Sequence, residues 1–257
     1  MRTLPLLLMI IFLLQSCAFL LGDNEQNISA KTEWKNEDYS DQLNWIGNVF
    51  INSSQKGTIK ISKKSKKYLG EVILNLSNNN SLVLKKKLSY EIIIIKHSTP
   101  FYFSLPNGKI ILSSQIISKY IEHEGHLLAI LSTEILRSNK MAYVKTKLIP
   151  TEFIPLEKMM FILRLPISIK SELNKWAYYC MRRSGYNGMH ILSWIQRQNK
   201  KMHDFVLMLG DAKSIALEET IFKTFIIDKK SRESSLKKRS NSSKKFYKFI
   251  GEIKKHS

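Results

Sequence analysis

His123 and His126 stand one helical turn apart with Glu124 between them, a spacing that could bring two imidazoles and a carboxylate to one metal ion. A third ligand would have to come from elsewhere, and the remaining histidines, His97, His190, His203 and His256, follow no ligand spacing; they read as surface or partly packed side chains. The chain has two cysteines. Cys180 falls in a helical pattern, where a buried structural thiol is expected and not a nucleophile. Cys17 closes the run Leu14, Gln15, Ser16, Cys17 behind Arg2 and an apolar stretch over residues 6–14. This is a lipobox: the sequence predicts a signal peptide at residues 1–16 and a bacterial lipoprotein acylated on Cys17. The apolar run is too short to cross a hydrocarbon core of about 30 Å. With Cys17 acylated, Cys180 has no disulfide partner, and packing must hold the fold.

A longer constellation fills residues 101–137 and continues to 186. Phe103, Ser104, Leu105, Pro106, Asn107 and Gly108 are followed by an apolar strand at Ile110–112 and paired apolar positions Ile116 and Ile117. After Glu124 come Ala129, Ile130 and Leu131, then Thr133, Glu134, Ile135, Leu136 and Arg137. Further on, Glu172, Leu173, Asn174, Ala177, Ser184, Gly185 and Tyr186 complete the set. In order and spacing this resembles the HtpX and CAAX prenyl protease family of zinc metallopeptidases (peptidase family M forty-eight). The family reads F-A-x-P-G-G, then L-A-A-V-L-A-H-E-x-x-H, then E-A-D and a Gly-Tyr turn. The resemblance covers the middle half of the chain. Thr133 and Arg137 stand where the family has its two histidines, Phe101 stands for an asparagine and Asn174 for the aspartate.

The resemblance implies a zincin-like α+β fold, Glu134 as the remnant general base and Thr133, Arg137 and Glu172 as remnant metal positions. It also implies a strand edge at Phe101, Phe103, Leu105, Gly108 and Ile110 that pairs with an extended peptide. A zincin needs two imidazoles one turn apart, a third ligand and an open position for water. Threonine is a poor ligand, and arginine stays protonated and cannot coordinate a cation. No cofactor is therefore expected, zinc entering only with unusual ligands. The expectation for the site is that Arg137 fills the metal position and pairs with Glu172, against the simpler reading of Glu134 and Arg137 as a surface pair worth a few tenths of a kcal/mol. His126 lies two turns before Thr133, roughly 10 Å along a helix, too far to share an ion with that site.

These residues need elements to position them. The apolar spacing predicts short helices over residues 41–49 and 66–76, a buried strand at 90–96, and two strands at 101–105 and 109–113 joined by Pro106, Asn107 and Gly108. Helices are expected over 114–138, with Gly125 on the exposed side, and over 170–183, 188–198 and 212–227, with Gly185 as a C-cap. Residues 17–40 read as a polar tether, 41–228 as one peptidase-like domain and 229–257 as a basic tail.

The charge is strongly positive, 41 Lys+Arg against 21 Asp+Glu. The tail holds the densest cluster, expected to be solvated, with attraction to anionic headgroups as its functional reading. The aromatics beside it, Phe246, Tyr247 and Phe249, carry no recognition motif, and no nucleic-acid partner is expected. Three functions follow: a membrane-anchored pseudo-peptidase binding peptides or envelope proteins; an active zinc metalloendopeptidase with non-standard ligands; and a basic surface lipoprotein that binds anionic ligands. The expected location is the cell envelope, outside the cytoplasm. Ala18 does not carry the aspartate that retains many lipoproteins at the inner membrane, so the choice of membrane stays open, as does the oligomeric state.

Overall fold

The computed structural model describes residues 36–54, 57–145, 153–230 and 242–256. The signal sequence, the lipobox with Cys17 and the tether up to residue 35 lie outside the described residues. Residues from Asn36 onward form one compact unit. It is α+β, mostly helical with a small three-stranded mixed sheet.

The elements are α1 (Asn36–Ser53), α2 (Lys63–Asn78), β1 (Glu91–Ile95), β2 (Tyr102–Ser104), β3 (Lys109–Ser113), a π-helical turn (Ile116–Tyr120), α3 (Glu124–Lys140), α4 (Leu156–Leu163), α5 (Ile167–Arg183), α6 (His190–Lys200), α7 (Met202–Leu209), α8 (Ala212–Lys230) and α9 (Lys244–Lys254). Among the described residues no helix is long and apolar enough to cross a membrane.

Strand order is β1-β3-β2, with β1 parallel and β2 antiparallel to β3. The β2–β3 hairpin closes at Pro106, Asn107 and Gly108, and Gly108 takes φ 92°, a conformation glycine adopts without a Cβ clash. Both faces of the sheet are covered, so its strands are apolar throughout instead of alternating with polar residues. Odd positions Phe101, Phe103 and Leu105 face α1: Phe50 sits 6.2 Å from Phe101 and 5.8 Å from Phe103, and Leu105 packs on Gly47 with no room for a Cβ. Even positions Tyr102 and Ser104 face the helical layer, where α3 runs behind the sheet. Helix α3 is buried on nearly every side, from Gly125 to Asn139. It lies at the core of the domain with polar residues among its buried positions, His126, Ser132, Glu134, Arg137, Ser138 and Asn139.

Several expectations need correction. Helix α1 begins within the supposed tether, because Tyr39, Leu43, Ile46 and Phe50 form one apolar stripe that is buried. The stretch 114–138 is not one helix: a π-helical turn ends at Tyr120, Ile121 is extended, and α3 starts after His123. Gly125 is not exposed but buried under the His190 ring, which lies 2.3 Å from where a Cβ would stand. The basic tail contains α9, whose Phe246, Phe249, Ile250 and Ile253 recur at helical spacing and bury against the rest of the domain. Ser243 caps α9 by accepting from the Phe246 N–H. Helices α4 and α7, each of eight residues, lie where the sequence reading placed none.

Candidate functional site

Helix α3 carries Thr133, Glu134 and Arg137, and the 3.6-residue turn places Glu134 and Arg137 on one face. That face looks at β2, at residue 143 beyond the C-terminus of α3 and at the end of α4. Both side chains are buried, which excludes the surface-pair reading. Glu134 accepts a hydrogen bond from Ser104 Oγ at 2.8 Å and lies 3.7 Å from the Arg137 guanidinium. Arg137 also donates to the carbonyl of Leu163, the last residue of α4, and its guanidinium stacks 5.1 Å from the centre of the Tyr143 ring. A guanidinium suits this position, because the last carbonyls of a helix have no partner in the helix and carry the negative end of its dipole. Tyr143 in turn donates to the Ser104 carbonyl at 3.2 Å. Burial pushes its phenol far above the usual range, so it remains a neutral donor.

Of the other two positions that the resemblance marks, Thr133 lines the same cavity and Glu172 does not join. Thr133 donates its hydroxyl to the Ala129 carbonyl one turn back at 3.0 Å. Glu172 is 61% exposed and pairs with Lys175 on its own helix at 2.6 Å. The expected Arg137–Glu172 pair is therefore absent, and Glu134 and the α4 carbonyl take its place. The reason is helix geometry. Leu173, Asn174, Ala177, Cys180 and Met181 are the buried face of α5, and Glu172, two residues or about 200° from Asn174, lies opposite it.

A different carboxylate faces the site. Glu218 of α8, with its side chain 2% exposed, accepts from Asn174 Nδ2 at 2.6 Å and from Lys170 Nζ. Sequence reasoning missed it because α8 lies outside the motifs; the inward spacing of Ile215, Phe222 and Ile226 is the signal that places Glu218 on the buried face.

Between these groups lies a cavity of about 60 Å³ lined by Tyr102, Glu134, Arg137, Leu163, Asn174, Trp194, Gln198 and Glu218. At Arg164, Leu165, Lys170, Leu209 and Glu218 it adjoins a wider depression of about 400 Å³. The Lys170–Glu218 pair stands at that junction, and Phe161, 69% exposed, lies on the rim of the outer depression. Two donors on residues that line the inner cavity lack acceptors among the described residues. Tyr102 Oη accepts from Trp194 Nε1 and from Gln198 Nε2, each at 3.2 Å, which leaves its own O–H to donate. Arg137 Nε is buried without a partner among the described residues. An unmade bond of this kind costs about 1–3 kcal/mol, so the cavity suits an occupant with an acceptor.

The expected peptide edge is corrected in part. Phe101, Phe103, Leu105 and Ile110 are core residues at 0–1% exposure, and Gly108 is buried, so no peptide can meet their side chains. The β2 edge offers only the outward main-chain groups of Tyr102 and Ser104, and Tyr143 already holds the Ser104 carbonyl.

The histidine cluster gains a member. The His123 ring centre lies 3.8 Å from that of His126 and 4.9 Å from that of His190. His126 Nε2 bonds Ser193 Oγ at 2.8 Å. Burial first, then the neighbouring rings, hold His126 at about 3 and His190 at about 4, and burial lowers His123 as well. These are neutral, packed rings. Glu124 belongs to another network: it accepts from Tyr68 Oη and from Ser243 N, both at 2.7 Å, tying α2 and α9 to the start of α3. Among the described residues no group of three or more His, Cys, Asp and Glu is placed to hold a metal ion. Burial pushes the Cys180 thiol up to about 11, consistent with a packing role. No protein-family model matches the chain, and no curated protein matches it significantly.

Proposed function

We propose that this chain is a lipid-anchored protein of the bacterial cell envelope whose peptidase-like domain binds apolar peptide segments without hydrolysing them. The lipobox at Cys17 supports the anchor, and the ordered landmarks from Phe103 to Tyr186 support a zincin-like ancestry. The observation that carries the binding reading is the pair of unsatisfied donors, Tyr102 Oη and Arg137 Nε, on residues that line a cavity of mixed polar and apolar walls adjoining an open depression. A peptide lying in the outer depression would insert one apolar side chain past Lys170 and Glu218, and a carbonyl would accept from the waiting donors.

Hydrolysis is not part of this reading. A guanidinium bonded to Glu134 and to the Leu163 carbonyl fills the place where a zincin needs a neutral imidazole, and Glu172 faces away. The residues at these positions do not fit a zinc ion, and no step is routed through one. Glu134 is engaged by Ser104 and Arg137, a structural use of the former base.

The test is fluorescence polarisation of labelled leucine- and phenylalanine-rich decapeptides, with mass spectrometry of the same mixtures. Bound peptides are expected to stay intact, and Tyr102→Phe is expected to weaken binding about tenfold, the worth of roughly one hydrogen bond. Cleavage that disappears in Glu134→Gln would favour the active-peptidase alternative, and unchanged binding by Tyr102→Phe would remove the cavity from the account.

A further inference from the structure

The sheet has a second edge, remote from β2 in the strand order and independent of the site above. In the parallel β1–β3 ladder, Glu91 donates its N–H to the Gly108 carbonyl at 3.2 Å, which fixes residues 91, 93 and 95 toward β3 and residues 92 and 94 away from it. On the outer side a short antiparallel partner begins and then leaves. Ile59 N–H donates to the Ile94 carbonyl at 2.8 Å and Lys96 N–H to the Gly57 carbonyl at 2.6 Å, around a single bridge between Thr58 and Ile95. Beyond Ile59 the chain turns away into α2, capped at Ser62. The Ile92 N–H and C=O and the Ile94 N–H are thus aimed outward, with no main-chain partner among the described residues.

The space left by the departing chain is a groove of about 330 Å³ alongside β1. Ile61, Leu69 and Ile73 supply apolar walls, Lys60 and Lys66 stand exposed along it, and Glu91 is its carboxylate. An unpaired strand edge is a template for another strand, and main-chain bonds there give affinity while the walls select side chains. We propose that this groove takes an extended segment of a partner protein, with an apolar residue at the wall and acidic residues at its flanks, added as a strand to β1.

Charge complementarity selects that occupant. Lys60 and Lys66 outnumber Glu91 at the groove, and the exposed Lys63, Lys64 and Lys67 continue the positive field along the first turn of α2. The N-terminus of α2 itself is already held by the Glu252 carboxylate, so the attraction for an acidic partner comes from these exposed lysine side chains. A second copy of the chain is the poorer fit: edge-to-edge pairing would set Lys60 and Lys66 against their own counterparts on a protein of net charge +20.

The probes are three labelled peptides of alternating valine and threonine: one flanked by glutamates, one flanked by lysines, and a glutamate-flanked form N-methylated at alternate amides. Binding to the full-length protein in detergent is measured by polarisation at low salt. Ile92→Pro removes the outward N–H and leaves the β3 ladder intact, since proline is tolerated where a strand N–H faces away from its neighbour. The expected result is saturable binding of the glutamate-flanked peptide alone, reduced at least tenfold by Ile92→Pro, by N-methylation, and by Lys60→Glu with Lys66→Glu. Equal binding of the methylated and unmethylated peptides, equal binding of the lysine-flanked peptide, or no binding at millimolar protein overturns the proposal. Should Ile92→Pro not fold, as read by circular dichroism, the methylated peptide on the wild-type protein decides. Tyr102→Phe is expected to leave this binding unchanged, so failure here and failure of the cavity reading are separable.

Discussion

Arg137 is the side chain around which the buried polar group behind β2 is arranged. Its guanidinium offsets the buried charge of Glu134, closes the end of α4 and rests on Tyr143, so α3, α4 and the segment after α3 meet on one side chain. Removing one partner of a buried ion pair costs about 3–5 kcal/mol because the other charge is left uncompensated. Arg137→Ala is expected to lose that much in urea denaturation, and Glu134→Leu with Arg137→Met to recover most of it. If Arg137→Ala costs only a few tenths, the arginine is incidental. The histidines make a second prediction at this scale. In the fold His190 and His126 refuse protons until about pH 4 and 3, whereas the unfolded chain takes them up below the ordinary 6.5. Stability is therefore fully present above pH 6.5 and falls as the pH drops toward 4. His126→Gln, which can keep a bond to Ser193, is expected to flatten the slope below pH 6.5 by an amount that rises to about 1.4 kcal/mol per pH unit near pH 5. An unchanged slope in denaturation series would show that the cluster already titrates normally.

At the scale of elements, α9 is the sharpest test of how the chain closes. A solvated tail would tolerate Phe249→Ala within about 0.5 kcal/mol, whereas truncating a buried phenylalanine costs about 3–5 kcal/mol. The larger loss is expected, read as a shift in the urea midpoint, because Phe249 is fully buried and α9 also holds the first turn of α2 through Glu252. The helix was legible in residues 246, 249, 250 and 253, but lysine density hid it. Charge composition and apolar spacing are separate signals, and the spacing governs where a helix buries its face. The same rule explains Glu172. Its motif position suggested a ligand, yet the apolar face of α5 excludes it, and that face could be read from Leu173, Ala177 and Met181 alone. By contrast β1, the β2–β3 hairpin and the turn at Gly108 followed directly from β-branched runs and turn residues, which act locally. The burial of Glu218 could be read from the spacing of its helix, but its partners Lys170 and Asn174 and the His190–Gly125 contact could not, since each joins segments far apart in the chain.

For the whole molecule, the α+β architecture and the helix that carries Glu134 and Arg137 were readable, while the cavity and its two idle donors appear only once α4, α6 and α8 close around them. The proposed zincin-like ancestry implies that Arg137 stands where a metal would once have been held. It is tested most directly by the zinc content of the purified protein after zinc loading and desalting, measured by mass spectrometry of the metal. No stoichiometric zinc is expected, in the wild type and in Glu172→Ala alike. One zinc retained per chain, and lost on Glu172→Ala, would contradict it.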